Sequence, residues 1–181
     1  MVRFYYYKGV TPNNQKEKVA RYVCIRLRDY LELPDIIEIE LIQLGPNNYG
    51  ETLIDYRTPN RIRINLDLSI NDIVIPLTHE LLHLEQIYQK RLTNTRFGDI
   101  IWENKTYKVN KNMSHKDYMA LPWEQDVVKK QQKGTVSREF GSTTMHFVFS
   151  RWHDGNGHGN GHGNGHGDAT IPNKTAMMAT T

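Results

Sequence analysis

In the first half of the chain, the spacing of the apolar residues changes from helical to alternating and back to helical. Residues 15–31 place apolar side chains at every third or fourth position, which predicts an amphipathic helix ending before Leu33-Pro34. Three strands are then predicted by alternating apolar and polar residues, over residues 37–41, 51–57 and 61–68. A second, strongly apolar helix should follow the N-cap candidates of residues 69–72 and run to about Arg91. This order of elements predicts an α+β fold with a small antiparallel or mixed sheet.

The following segment predicts a hairpin and another helix. Residues 100–109 contain two short strand-like halves around a turn at residues 103–105. Pro122 suits the first position of a helix, which should end before Gly134. Residues 145–152 predict a final strand. We therefore expect one folded domain over residues 1–152.

The C-terminal segment has a different composition. A Gly-Asn-Gly-His unit is repeated three times from Gly155, and glycine at every second position leaves little side chain to bury. Residues 153–181 are therefore predicted to be a disordered tail, either natural or added. Its histidines could chelate a divalent metal loosely: His153, His158, His162 and His166.

Composition excludes several classes of protein. No apolar run approaches the roughly 18 residues of a membrane span, and the N-terminus does not resemble a secretory signal. The single cysteine, Cys24, cannot form an intramolecular disulfide, which is compatible with the cytoplasm. The net charge of +3 is mild, and acidic residues lie between the basic ones. We therefore expect a cytoplasmic protein without a nucleic-acid or membrane partner.

The second helix contains the motif H-E-x-x-H, formed by His79, Glu80 and His83. Residues four apart lie on one face of a helix, so both histidines can direct a ring nitrogen at one ion. The carboxylate of Glu80 can then reach a metal-bound water without becoming a ligand. The alternative is that the histidines are partly buried and hydrogen-bonded without a metal and that Glu80 is a solvated surface acid.

A catalytic zinc ion usually has three protein ligands and one water, so a third ligand is required. The extended motif H-E-x-x-H-x-x-G-x-x-H is excluded because Gln86 and Gln89 occupy the positions of its glycine and third histidine. A glutamate from a later helix is the other common arrangement, which favours Glu124 in the first turn after Pro122. The competing candidates are Glu85, Asp99, Glu103, His115 and Asp126.

Three segments resemble small metallopeptidases of the minimal zincin type, many of them encoded by bacteriophages. They read Thr-His-Glu-Leu-Leu-His at 78–83, Trp-Glu-Asn-Lys-Thr-Tyr at 102–107 and Tyr-Met-Ala-Leu-Pro-Trp-Glu-Gln-Asp at 118–126. The family has a helical H-E-L-x-H, a hairpin similar to W-N-G-K-x-Y and an L-P-W-E-x-D/E-A segment. The resemblance covers roughly residues 36–130, and this chain departs from the pattern at Glu103-Asn104 and at Val127.

The resemblance implies a zincin-like, gluzincin-like fold and one zinc ion per chain, bound by His79, His83 and Glu124. The implied function is hydrolysis of a peptide or protein substrate, with Glu80 as the general base, in the host cytoplasm if the protein is phage-encoded.

Tyr118 is the favoured donor to the oxyanion, ahead of His115 and Tyr107. Asp126 either supports a ligand histidine or is a solvated surface residue. The strand at 61–68 is expected to form the rim of the cleft and to pair with an extended peptide.

Two other functions remain open. The first is a zinc-binding module that cleaves nothing and acts by binding other proteins, in which case Glu80 is dispensable. The second is nucleic-acid binding through basic side chains, which the interspersed acidic residues disfavour. The basic residues in question are Arg21, Arg26, Arg28, Lys129, Lys130 and Lys133.

Overall fold

The structure is a computed structural model that describes residues 1–6, 13–28, 30–45, 48–54, 60–95, 98–110 and 112–132. Its strands are β1 (Val2–Tyr6), β2 (Ile37–Ile42), β3 (Gly50–Thr52), β4 (Arg61–Asn65), β5 (Leu92–Asn94), β6 (Ile100–Trp102) and β7 (Lys105–Tyr107). Its helices are α1 (Asn14–Arg28), α2 (Val74–Tyr88), α3 (His115–Met119) and α4 (Pro122–Gln132). The predicted α+β class is therefore confirmed. The expected strand at 145–152 and the tail at 153–181 lie outside the described residues.

The larger sheet is mixed and has the strand order β1-β2-β4-β3. β1, β2 and β4 are parallel to one another, whereas β3 is antiparallel to β4. The described chain begins with β1, so the prediction that a helix is the first element was wrong. The pairing of β1 with β2 connects Val2 to Ile37 across the whole of α1, and a local pattern does not reveal such a distant partner.

The expectation that residues 61–68 form a free rim strand was also wrong. β4 ends at Asn65 and lies between β2 and β3, so neighbouring strands occupy both of its edges. An extended peptide therefore has no free edge of β4 to pair with. β3 is shorter than the predicted strand at 51–57, of which residues 55–57 lie outside the described part.

The alternation in β2 and β4 separates a buried face from a charged face. On the buried face, Ile39 and Ile62 join a core that includes side chains of α1 and α2, such as Leu27 and Leu81. The opposite face carries cross-strand ion pairs, Arg61 to Glu38 at 2.9 Å and Arg63 to Glu40 at 2.8 Å. The predicted period of two residues is thus confirmed, and it places α2 against the sheet.

The second helix differs from its prediction at both ends. The polar residues expected to cap it instead close the preceding turn, where the Ser69 hydroxyl bonds the Asp72 side chain. The helix follows Ile73, which makes no side-chain cap, and Pro76 falls in its first turn, where a missing N–H costs no helical hydrogen bond. It ends at Tyr88 rather than near Arg91, and Lys90 has a positive φ of 60°.

The smaller sheet is antiparallel, with the order β5-β6-β7. The predicted hairpin is confirmed, and its turn consists of Glu103 and Asn104, whose φ angles are 45° and 67°. Two consecutive positive φ angles are typical of the tight turns that match strand twist, and asparagine tolerates them well. Trp102 packs in a second apolar cluster with Trp123 of α4, which joins this sheet to the second predicted ligand helix.

In the described part of the chain, no helix is both long and apolar enough to cross a membrane.

Candidate metal centre

Helix α2 is buried around most of its circumference, which is unusual for a helix that carries ionisable residues. Every residue from Ile75 to Gln86 is buried, including His79, Glu80 and His83. Polar groups in such positions are normally paired, because an unpaired one costs about 1–3 kcal/mol. The partners of these side chains therefore define what the site can do.

The two motif histidines and Glu124 meet at one point, although Glu124 is on a different helix. The Nε2 atoms of His79 and His83 are 3.1 Å apart. The two carboxylate oxygens of Glu124 lie 3.1 Å from His79 Nε2 and 3.2 Å from His83 Nε2. One ligand atom from each residue lies within 4.8 Å of the others, so the group could hold a metal ion.

The donor set and its spacing fit a zinc ion. Ligand atoms about 2.0–2.1 Å from a tetrahedral zinc ion lie roughly 3.3 Å from one another. The two histidine Nε2 atoms, 3.1 Å apart, are close to this value. Each Glu124 oxygen lies at a similar distance from one of the two nitrogens, and with one ligand atom from each residue the group stays within 4.8 Å. Two imidazoles and one carboxylate are also a ligand set that leaves the fourth position open.

The charges of this cluster are mutually dependent. Burial acts to raise the pKa of Glu124, but His83 and His79 hold that pKa well below its usual range. Burial likewise acts to lower the pKa of His83, yet the Glu124 carboxylate outweighs it and raises the pKa to about 9. In the described part of the chain, Glu124 forms ion pairs only with these two histidines. A proton on the His83 imidazole therefore supplies positive charge beside Glu124 that a divalent cation can supply instead.

The other candidates for a third ligand do not reach the cluster. Among the described residues, the only group with metal-ligand spacing is His79, His83 and Glu124. Glu103 and Asp126 form ion pairs with Arg91, and Glu85 forms one with Lys130. His115 is exposed at the start of α3.

Glu80 lies beside the cluster and is held by β3. It is 2% exposed, and burial raises the pKa of its carboxyl group. The Thr52 hydroxyl lies 2.7 Å from Glu80 Oε2 and 2.9 Å from the Glu80 main-chain oxygen. Thr52 was not among the predicted site residues, because its proximity to Glu80 depends on the packing of β3 against α2.

The close approach of β3 to α2 leaves little room for a side chain at position 50. A Cβ atom added there would lie 3.0 Å from Glu80 Cγ and 3.0 Å from Ile64 Cδ1. We expect Gly50→Ala to displace the Glu80 side chain and to destabilise the protein by about 1–3 kcal/mol, as overpacking does. Urea unfolding would measure the loss.

Gly45→Ala is the matched control for this substitution. A Cβ atom at Gly45 meets no atom within 4 Å, so we expect a change within about 0.5 kcal/mol. Equal stabilities of the Gly50→Ala variant and the control would show that β3 and α2 do not need this contact.

Of the three proposed oxyanion donors, Tyr118 contacts the cluster. Its hydroxyl donates to Glu124 Oε1 at 2.6 Å. Tyr107 packs edge-to-face on Trp123, with ring centroids 5.6 Å apart. The structure therefore places Tyr118 against a candidate metal ligand, where it orients the carboxylate.

Two glutamines that the sequence analysis did not assign to the site contact the outer nitrogens of the histidines. Gln86 Oε1 lies 2.9 Å from His83 Nδ1, and Gln131 Oε1 lies 3.4 Å from His79 Nδ1. Asp126 reaches the histidines only indirectly, because it accepts a hydrogen bond from Gln86 at 2.9 Å. The only indication of the Gln86–His83 contact in the sequence is their spacing of three residues, which places two side chains on the same face of a helix.

Comparison of the chain with protein-family models, with curated proteins and with solved structures gave no match. The geometry of the described residues is therefore the basis on which a function can be proposed.

Proposed function

We propose that the protein is a zinc-dependent peptidase of the minimal-zincin, gluzincin-like kind. The observation that carries this proposal is the convergence of His79, His83 and Glu124, with the carboxylate of Glu80 adjacent. His79, His83 and Glu124 would hold the zinc ion. Glu80 follows the first ligand directly and has the place of a general base.

Each residue has a distinct role in the proposed reaction. Bound zinc supplies Lewis acidity, which polarises a carbonyl group and lowers the pKa of water. Glu80 accepts a proton from the attacking water and delivers it to the leaving amine. The Thr52 hydroxyl at Oε2 fixes the orientation of the Glu80 carboxylate. Tyr118 is the proposed donor to the oxyanion, and its hydroxyl must turn away from Glu124 to act there.

One observation favours a second candidate, a zinc-binding module that cleaves nothing. The side chains of His79, Glu80, His83 and Glu124 are between 0% and 2% exposed. A peptide bond therefore cannot reach Glu80 unless the surrounding residues move. A closed site of this kind suits a metal that stabilises the fold rather than one that contacts a substrate.

Metal content and chelation test the proposal directly. The full chain should be prepared with its four tail histidines replaced by asparagine, so that the tail contributes no metal. We expect one zinc ion per chain by plasma mass spectrometry, together with cleavage of a mixed peptide library. Treatment with 1,10-phenanthroline should abolish cleavage, and added zinc should restore it.

The other outcomes separate the two candidates. One bound zinc ion without cleavage would support the non-catalytic module and reject the peptidase. Absence of zinc from the substituted chain would reject both, and the two histidines would then be buried core residues.

A further inference from the structure

The side chain of Gln86 connects His83 to helix α4. It is fully buried, and its Oε1 atom lies 2.9 Å from His83 Nδ1. Its Nε2 atom donates to the main-chain oxygen of Trp123 at 3.0 Å and to Asp126 Oδ2 at 2.9 Å. One amide group therefore contacts a candidate ligand and two positions of the second ligand-bearing helix.

These two acceptors determine which way the amide of Gln86 points. A carbonyl oxygen and a carboxylate oxygen can only accept hydrogen bonds, so both must face the NH2 group of Gln86. The amide oxygen must then face His83 Nδ1. Because an amide oxygen only accepts, His83 Nδ1 must be the donor and must carry a proton.

Asp126 is itself held in place. Arg91 donates to both of its carboxylate oxygens, at 3.1 Å and 3.2 Å. The Arg91 guanidinium thus forms an ion pair with the Asp126 carboxylate. Asp126 is therefore an anionic acceptor, and an anionic acceptor makes the stronger hydrogen bond to the Gln86 amide.

We propose that Gln86 is a positioning residue that keeps a proton on His83 Nδ1 and thereby presents His83 Nε2 to the metal. Trp123 and Asp126 hold its amide in the required orientation. This inference rests on the proposed metal site. It extends that site beyond the three ligands, because the orientation and basicity of a ligand histidine depend on the partner of its second nitrogen.

Zinc affinity tests the proposal in the full chain with its tail histidines replaced by asparagine. Gln86→Met preserves the size of the side chain and removes both of its hydrogen-bonding functions. We expect a roughly 10- to 100-fold increase in the zinc dissociation constant, measured by competition with a chelator. Asp126→Asn removes the anionic acceptor and its ion pair with Arg91 but leaves the Gln86 amide and its bond to Trp123 in place. We therefore expect a smaller increase, and this variant serves if Gln86→Met does not fold.

Glu85→Gln is the matched control. Glu85 is also buried on α2 and also contacts α4, through Lys130, but the structure gives it no contact with His83. We expect its zinc dissociation constant to stay within about twofold of the parent. An equal loss in the control would mean that any weakened contact between the helices lowers the affinity, and it would overturn the specific role of Gln86.

A spectroscopic readout separates this inference from the proposed function. In the metal-free parent at neutral pH, nitrogen-15 NMR should show a slowly exchanging proton on His83 Nδ1, and this protection should be lost in Gln86→Met. The prediction holds for the charged ring, in which both nitrogens carry a proton, and for the neutral tautomer that the Gln86 amide oxygen selects, in which the proton is on Nδ1. If the parent binds no zinc, the proposed function fails, and the NMR signal alone decides the role of Gln86. An unprotonated Nδ1, or unchanged zinc affinity in both variants, would overturn it.

Discussion

Replacement of Glu80 by glutamine is expected to lower peptide hydrolysis by roughly 100- to 10,000-fold while zinc stays bound. Glutamine has nearly the same size and can still accept the hydrogen bond from Thr52, but its amide cannot accept a proton from water. The loss should therefore appear in kcat. Steady-state kinetics on one cleaved peptide, with zinc content measured on the same sample, would show it.

The control for this variant is again Glu85→Gln, which removes a carboxylate from a buried position of the same helix. We expect its kcat to stay close to that of the parent. Unchanged hydrolysis in Glu80→Gln with zinc bound would rule out Glu80 as the general base. If no preparation cleaves any peptide although each holds zinc, the closed site is that of a non-catalytic module.

Replacement of Glu124 by alanine is expected to remove zinc from the chain. Glu124 is the anionic member of the proposed ligand set and is fully buried between the two histidines. Loss of one partner of a buried charge pair costs about 3–5 kcal/mol, which corresponds to a roughly 100- to 5,000-fold weaker affinity. Chelator competition and plasma mass spectrometry would measure this loss.

His115→Ala is the matched control, because His115 was a competing candidate for the third ligand. It is exposed at the start of α3, so its removal should leave the zinc affinity unchanged. If His115→Ala lost the metal and Glu124→Ala kept it, the proposed ligand set would be wrong.

Local patterns in the sequence were sufficient for features that depend on neighbouring residues. The alternation in residues 37–41 and 61–68 predicted two strands with one buried face, because side chains in a strand point to opposite sides in turn. The four-residue spacing of His79 and His83 placed both on one face of a helix, because residues four apart are about one helical turn apart. The two strand-like halves of residues 100–109 predicted the hairpin, and Asn104 suits its turn because asparagine tolerates a positive φ.

Pairing between distant segments was not predictable in this way. β1 was missed, and β4 was placed at an edge although it lies inside the sheet. Strand order and direction depend on which strands meet after the helices have packed, and the period of a single strand carries no information about its neighbours.

The candidate site combines both kinds of information. The sequence by itself determined the H-E-x-x-H helix and identified Glu124 as the favoured partner, 41 residues after His83. Only the tertiary structure decided that Glu124 Oε2 lies 3.1 Å from His79, that Thr52 contacts Glu80 and that Gln86 contacts His83. The physical reason is that the burial of Trp123 beside the small sheet positions α4 against α2, and contacts between elements depend on such packing rather than on spacing along the chain.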